Sequence, residues 1–438
     1  MWMVDSVVRR DQATSWPQIA AASQIGVLAG LAALGTLATN ILLPSLPQMA
    51  GALRVSSAAV TSAITVFLAI FALGQLVVGP ISDRYGRRWP VLAGFAVFMA
   101  GSIWCASSGT LTSLLIGRAI QAAGACSTSV LSRAIARDLF RGAALGRAMA
   151  LIMIAMAAAP GFSPLLGGAL DRFWGWRSEF VFVAIFAAVG AIAYGSILGE
   201  THHTIRTPLH PFAIARGYGG LLCDRLFVVP AATVSLIMGG LFAMFSATPR
   251  ILIEAMGFST IELGFFFAGT VLIVFAAGML ATQLASRLAL DRSIRLGLRV
   301  AAVGGIAVLT TSIIRPTFLP FLCSACVFLL GMGIVNPLGT AQALSPFGQK
   351  AGAASALLGF WQMMGAAFGV FLAANISNTA TLSFGIVLAA SSVLALVIYE
   401  RGRRTGAADR CHLRDRDRND LGSTQPTRGL NTVREGST

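Results

Sequence analysis

A dozen apolar runs, each close to the twenty or so residues that a helix needs to cross a bilayer, leave this chain little choice of architecture. They lie at roughly 20–43, 58–80, 91–106, 111–131, 149–170 and 180–198, then at roughly 226–248, 261–284, 296–314, 318–344, 353–374 and 381–399. Composition agrees. Of 438 residues 56% are hydrophobic and 11% charged, with a mean hydropathy of +0.78, which does not fit a water-soluble fold of this length. The chain reads as an all-α integral membrane protein with twelve transmembrane helices embedded in a lipid bilayer.

The basic residues follow the spacing of these runs. A net charge of +15 gathered on one soluble face would suit nucleic acid, but here the arginines are scattered between spans, so no nucleic-acid partner is expected. With the N-terminus in the cytoplasm, inner segments hold roughly 26 of the 32 basic residues, and outer ones only Arg54, Arg172, Arg177, Arg250 and Arg315. The positive-inside rule then puts both termini in the cytoplasm. Arg118 is left over, inside a span. The opening stretch MWMVDSVVRRDQ precedes a run of span length without a convincing cleavage site and reads as the start of a start-transfer helix. Of the six cysteines, four fall in or beside spans and Cys223 and Cys411 face a reducing cytoplasm, so no disulfide framework is expected. Cys323 and Cys326 share a helix face, where small-residue packing is the reading preferred over a metal or redox site.

The longest polar connection before the tail, GETHHTIRTPLHPFAIARGYGGLLCD at 199–224, divides the spans into six and six. This gives a cytoplasmic segment 1–19, a first bundle 20–198, a linker 199–225, a second bundle 226–400 and a basic tail 401–438 whose composition predicts disorder. The doublet His202 and His203 reads as linker, and RDRDRND at 414–420 as a solvated charge run. GQLVVGPISDRYGRR after the second span is weakly echoed by GMLATQLASRLALDR at 278–292 after the eighth, as a duplicated six-helix unit requires. Parallel repeats with a substrate site between them are a transporter architecture.

These segments carry a resemblance. GQLVVGPISDRYGRR at 74–88 is similar to the loop signature after the second helix of the major facilitator superfamily, and RAIQAAGACSTSVLSRAIARDLF at 118–140 to its fourth-helix signature with a buried arginine. APGFSPLLGG at 159–168, followed by GWRSEFVF from Gly175, resembles the helix-five antiporter motif; GMGIVNPLGTAQALSPFGQKAGAASALLGFWQ from Gly331 is similar to helices ten and eleven. Within the superfamily, the likeness is to drug:proton antiporters of the bicyclomycin and chloramphenicol resistance type, and it covers nearly all of the membrane region. It implies two pseudo-symmetric six-helix bundles, rocker-switch alternating access in a bacterial inner membrane, a monomer, and a small-molecule substrate exchanged for protons, with no cofactor, metal or bond chemistry.

The resemblance also distributes roles. Arg118, costly in a span unless it faces a polar cavity or a partner, and Gln121, one turn on, become substrate or coupling residues. A carboxylate is expected opposite them in the first helix, where family members show a motif like STDMYLPALP; this chain reads ATNILLPSLP at 38–47, with Asn40 at the Asp position. Asparagine accepts a hydrogen bond from arginine but does not titrate. By sequence position, Asp171, Glu179, Glu254 and Glu262 lie near outer ends, and no acid sits in mid-span. Coupling would then fall to a group such as Glu179 or to the substrate's own proton, or be absent.

Pro160 and Pro164 are expected to bend the fifth helix, and Gly161, Gly167 and Gly168 to let a neighbour approach at the interface between halves. At the inner surface Gly79, Pro80 and Gly86 are expected to stop the second helix beside Asp83, Arg84, Arg87 and Arg88. Asp83 would gate the inner side, accepting from the start of helix eleven near Ala351 and pairing with Arg87, Arg133 or Arg137. Asn336, Trp361 and Gln362 are candidate cavity residues. Two transport readings follow: efflux of drugs or small amphipathic compounds, or uniport or import of a small, anionic metabolite, which the absent mid-membrane carboxylate favours.

Overall fold

Inside a bilayer no water bonds the backbone, so each apolar run must satisfy its own amides and carbonyls as a helix. A computed structural model describes residues 15–201, 211–314, 317–377 and 379–422, by backbone alone at 15–20, 143, 211–214, 349 and 403–422. Among the described residues twelve helices are long and apolar enough to span a membrane, and no strand occurs. In chain order they are α1 (Ser15–Asn40), α2 (Ser57–Tyr85), α3 (Arg88–Ser107), α4 (Leu111–Leu139), α5 (Gly142–Trp174), α6 (Arg177–Ile197), α7 (Arg225–Pro249), α8 (Thr260–Arg287), α9 (Leu290–Ile314), α10 (Phe318–Leu344), α11 (Ala351–Asn375) and α12 (Ala380–Gly422). Residues 1–14, His202, His203, His210 and the tail beyond 422 lie outside the described residues.

Helix ends follow local chemistry. Ser56, Thr110 and Asp224 cap α2, α4 and α7 by accepting from the amides of Ala59, Ser113 and Leu226. Ser259 and Glu262 form a reciprocal capping box on α8. Successive spans reverse direction, so one face of the bundle carries the start of α1, the α2–α3 turn, the linker and the α12 extension. It is called here the terminal face, and the opposite one the far face.

Four boundaries differ from the sequence expectation. The second helix does not stop at Gly79 and Pro80 but runs through them to Gly86, because a proline removes one bond while the flanking turns hold. The fourth continues past its apolar run to Leu139, so Arg133 and Arg137 belong to a helix instead of a loop. The linker contains a helix, Pro211–Leu222, whose Leu221 is buried against Phe227, Ala354, Leu357 and Leu358. The last helix runs on to Gly422 where disorder was expected from Arg401, since a helix already nucleated in the span extends readily through Ala, Arg and Leu.

Spans α1–α6 and α7–α12 form two units. Within them α3 lies against α4 and α9 against α10; α5 against α8 and α2 against α11 join the units. The paired helices use the same device in both halves. A side chain at Gly124 would collide with the α3 backbone at Gly94 and Phe98; one at Gly304 or Gly331 would collide with the α10 backbone at Phe328 or the α9 backbone at Ala301. This is the structural form of the duplication. One apolar core runs through both units, while Ile192, Leu272 and Ile314 point outward, as a lipid-facing surface requires.

Candidate functional site

The polar interior of the first unit is built around Arg118, which α4 carries two turns from the far face. It is 0% exposed. Its Nε donates to the Ala63 carbonyl of α2 at 3.4 Å, and Nη1 to the Ala38 carbonyl of α1 at 3.2 Å and to Gln121 Oε1. The guanidinium sits 4.3 Å from the centroid of the Phe67 ring. Gln121 passes the contact on, donating to Ser102 Oγ of α3 at 2.7 Å. Arg118 thus ties α1, α2 and, through Gln121, α3 to α4, and its Nη2 has no partner.

Asn40 is not the acceptor that the sequence suggested. Its Nδ2 donates back to the Thr36 carbonyl at 2.8 Å, one turn earlier in α1, and its buried Oδ1 has no partner. The guanidinium instead takes the Ala38 carbonyl.

The acids at the outer ends of spans prove to be enclosed. Among the described residues Asp171 and Glu179 are the only buried carboxylates, 4% and 0% exposed. After Asn40 the chain turns through a 3-10 segment, Leu43–Ser45, before the short helix Leu46–Leu53. That turn presents Ser45, which donates to Glu179 Oε1 and also reaches Asp171. Glu179 Oε2 and both oxygens of Asp171 lack a hydrogen-bond partner by geometry. Arg118 lies within electrostatic range of Glu179 but forms no ion pair with it. Position along a span gives height in the membrane; it does not say whether the side chain points into the bundle.

At the terminal face the charges after α2 form a compact network. Arg87 is the hub: Nη1 meets Asp83 at 2.6 Å and Ser82, and Nε meets Asp138 of α4 at 3.0 Å. Burial lowers its pKa, but hydrogen bonds and charge from Asp138 and Asp83 outweigh this and raise it above the ordinary arginine value. Glu200, from the end of the first unit, accepts the amides of Arg87 and Arg88 at the start of α3, at 2.9 and 3.2 Å, a carboxylate on a helix start. Asp83 is half exposed and bonds Arg87, not the start of α11; Arg133 turns to Met156 Sδ at 3.7 Å, and Arg137 to the Arg133 carbonyl. Arg84 lies over Tyr85. Asp138 and Glu200 were missed because their partners are distant in sequence.

On α5, Gly161 and Gly168 meet the other unit: an added Cβ would stand 2.5 Å from Val271 and 3.2 Å from the Thr260 carbonyl of α8. Gly167 instead meets the Ile41 carbonyl, inside its own unit. Pro160 and Pro164 lie within one continuous helix. In the second unit Gln362 donates to Thr340 at 3.3 Å, while Asn336 Oδ1 is buried without a partner and Trp361 is half-buried. At the far face Ser57 of α2 donates to Glu254, past α7, at 2.7 Å, a hydrogen bond between the two units.

Two six-helix units joined through α2–α11 and α5–α8, the first with a buried polar core, define a membrane carrier. The chain belongs to the Major Facilitator Superfamily, whose family model matches residues 28–370. That is a family of transporters, not of enzymes. Among its relatives, an uncharacterized MFS-type transporter, YdgK of Bacillus subtilis, is 30% identical over 85% of this chain and 93% of its own length. Multidrug resistance protein D of Escherichia coli is 28% identical over 84% and 93%, and a bicyclomycin resistance protein homolog of Haemophilus influenzae 26% over 81% and 89%. These relatives support the drug-efflux type. Solved structures share the fold: a bacterial homolog to the human lysosomal transporter Spinster, inward-facing and unoccupied, has a TM-score of 0.67 at 14% identity, covering 87% of this chain and 95% of its own. A D-xylose-proton symporter scores 0.65 at 16%, covering 86% and 97%.

Proposed function

We propose that the protein exports drugs or small amphipathic compounds, of the bicyclomycin and chloramphenicol type, in exchange for protons. It works as a monomer in a bacterial inner membrane with both termini in the cytoplasm, the terminal face being the inner one. The observation that carries this reading is a likeness along more than 80% of the chain to proteins named for multidrug and bicyclomycin resistance. The mechanism is a shift between two arrangements of the units, with the substrate bound between them. Arg118 is enclosed on every side here, so its role is to hold α1, α2 and α4 in register and to place a fixed positive charge inside the first unit. Asn336, Trp361 and Gln362 supply polar and aromatic contacts from the second unit.

The test is accumulation of chloramphenicol and bicyclomycin in an efflux-deficient bacterial strain, with and without the expressed protein. Lower accumulation on expression is expected; equal accumulation across a wider drug panel overturns the reading. A second reading, uniport or import of an anionic metabolite, draws on Asn40 and on the unpartnered Arg118 Nη2. It predicts anion flux that only equilibrates across reconstituted vesicles, whatever the pH gradient.

A further inference from the structure

The pairing of Asp171 and Glu179 is unusual for a membrane interior. Two buried carboxylates have no arginine or lysine bonded to either, and the nearby Ser45 hydroxyl is given to Glu179 alone. Independently, Arg118 on another helix is fully enclosed and keeps Nη2 bare within electrostatic range of Glu179. A bare guanidinium nitrogen and a bare carboxylate oxygen, both buried inside the first unit and unpaired with each other, are two halves of an ion pair that this arrangement leaves unmade.

The elements around Glu179 bring few other charges. α5 contributes Asp171 and α4 contributes Arg118; α3 carries the Cys105 thiol, which is in range of Arg118; the 3-10 turn after α1 contributes only Ser45. On its own helix, Arg177 faces away, donating to the Ser108 carbonyl at 3.0 Å and stacking on Trp176. The turn that carries Ser45 also touches α7 and α8 of the second unit. A change at Glu179 is therefore one hydroxyl away from the contact between units at the far face.

We propose that Glu179 is the group that binds and releases the coupling proton, with Ser45 and Asp171 as its immediate partners and Arg118 as its counter-cation. This rests on the antiport reading above. With the far face open, hydronium from that side gives its proton to Oε2, forming one O–H bond and leaving water. With the far face closed and the terminal face open, that bond breaks, the proton passes to water admitted from the terminal side, and the carboxylate left behind is balanced by Arg118 Nη2. Ser45 follows the change and moves the turn that meets α7 and α8.

The proton itself can be observed without any drug. Infrared difference spectra of the reconstituted protein, stepped between acidic and alkaline buffer, should contain a carboxylic acid C=O band that Glu179→Gln removes and Glu179→Asp shifts. An unchanged spectrum in Glu179→Gln overturns the proposal whatever the substrate proves to be. In vesicles loaded with chloramphenicol, Glu179→Gln should lose accumulation driven by a pH gradient and keep drug-for-drug exchange, while Asp171→Asn displaces the pH profile. Wild-type gradient-driven accumulation by Glu179→Gln also refutes the assignment. Failure of the wild type to exchange any drug sinks the efflux reading instead, and leaves the infrared result to decide Glu179.

Discussion

At Gly86 the backbone turns at φ +88° and ψ 174°, a region essentially reserved for glycine and costing an L-residue about 1–3 kcal/mol, and an added Cβ would stand 2.5 Å from the Glu200 carboxylate. The residue ends α2 and seats the carboxylate that caps α3, so Gly86→Ala should destabilise the detergent-solubilised protein by about 1–3 kcal/mol. Glu200→Ala, which removes the cap, should cost about 0.5–2 kcal/mol. Melting temperatures check both, and an unshifted Gly86→Ala would show that the turn is not fixed. Arg87 beside it has a folded pKa above its unfolded one, so the stability it contributes is complete below the unfolded value and is lost only as pH rises through the folded value. Melting should therefore lose nothing through Arg87 in any moderately alkaline buffer. Arg118 obeys a different constraint. Its fork meets acceptors on α1 and α2 and a side chain on its own helix, a set that a single ammonium does not match. Both Arg118→Ala and Arg118→Lys should abolish drug exchange while inserting at normal levels, and exchange retained by the lysine variant would reduce the requirement to charge alone.

Helices carry the next level of constraint, and α5 is the clearest case because Gly161 lets it meet Val271 of α8 across the boundary between units. A side chain there overpacks the boundary by about 1–3 kcal/mol in whichever arrangement brings the helices together. Gly161→Val should slow drug-for-drug exchange about tenfold at equal expression, and undiminished exchange would mean that α5 and α8 do not bear on the transition. The sequence announces this helix, with its two prolines and paired glycines, because motif and span length are local properties. It does not announce which unit each glycine meets: Gly167, adjacent to Gly168, turns to Ile41, just past the end of α1. The same limit hides the linker helix and the enclosure of Glu179. Their burial is decided by neighbours far away in the chain, Leu357 and Leu358 in one case and Ser45 in the other. Arg118 was legible at once, since a charge within an apolar run needs no partner to be conspicuous; that it would take the Ala38 carbonyl and leave Asn40 bonded to its own helix depends on side-chain direction within α1.

For the whole molecule the question is which face holds the units together. Ser57 and Glu254 join them at the far face at 2.7 Å, and the 3-10 turn after α1 touches α7 and α8 there. At the terminal face Asp83, half exposed, stays with Arg87 of its own unit. The far side is thus closed by direct contact; toward the terminal face the linker helix's Tyr218 donates to the Leu76 carbonyl of α2 at 3.1 Å, while the gate expected between Asp83 and α11 is unmade. If the two faces alternate, locking the far one must stop the cycle. A Ser57→Cys and Glu254→Cys pair, oxidised in membranes, should form a cross-link that abolishes drug transport and is reversed by reductant. Either single variant, oxidised in the same way, controls for the native cysteines. Full transport by a completely cross-linked protein would refute alternation through this contact. Asp83→Asn tests the proposed gate by biasing the protein the same way without a cross-link: a contact of Asp83 with α11 made only when the far face is open would be weakened, and the fraction of molecules in which the cysteine pair cross-links should rise.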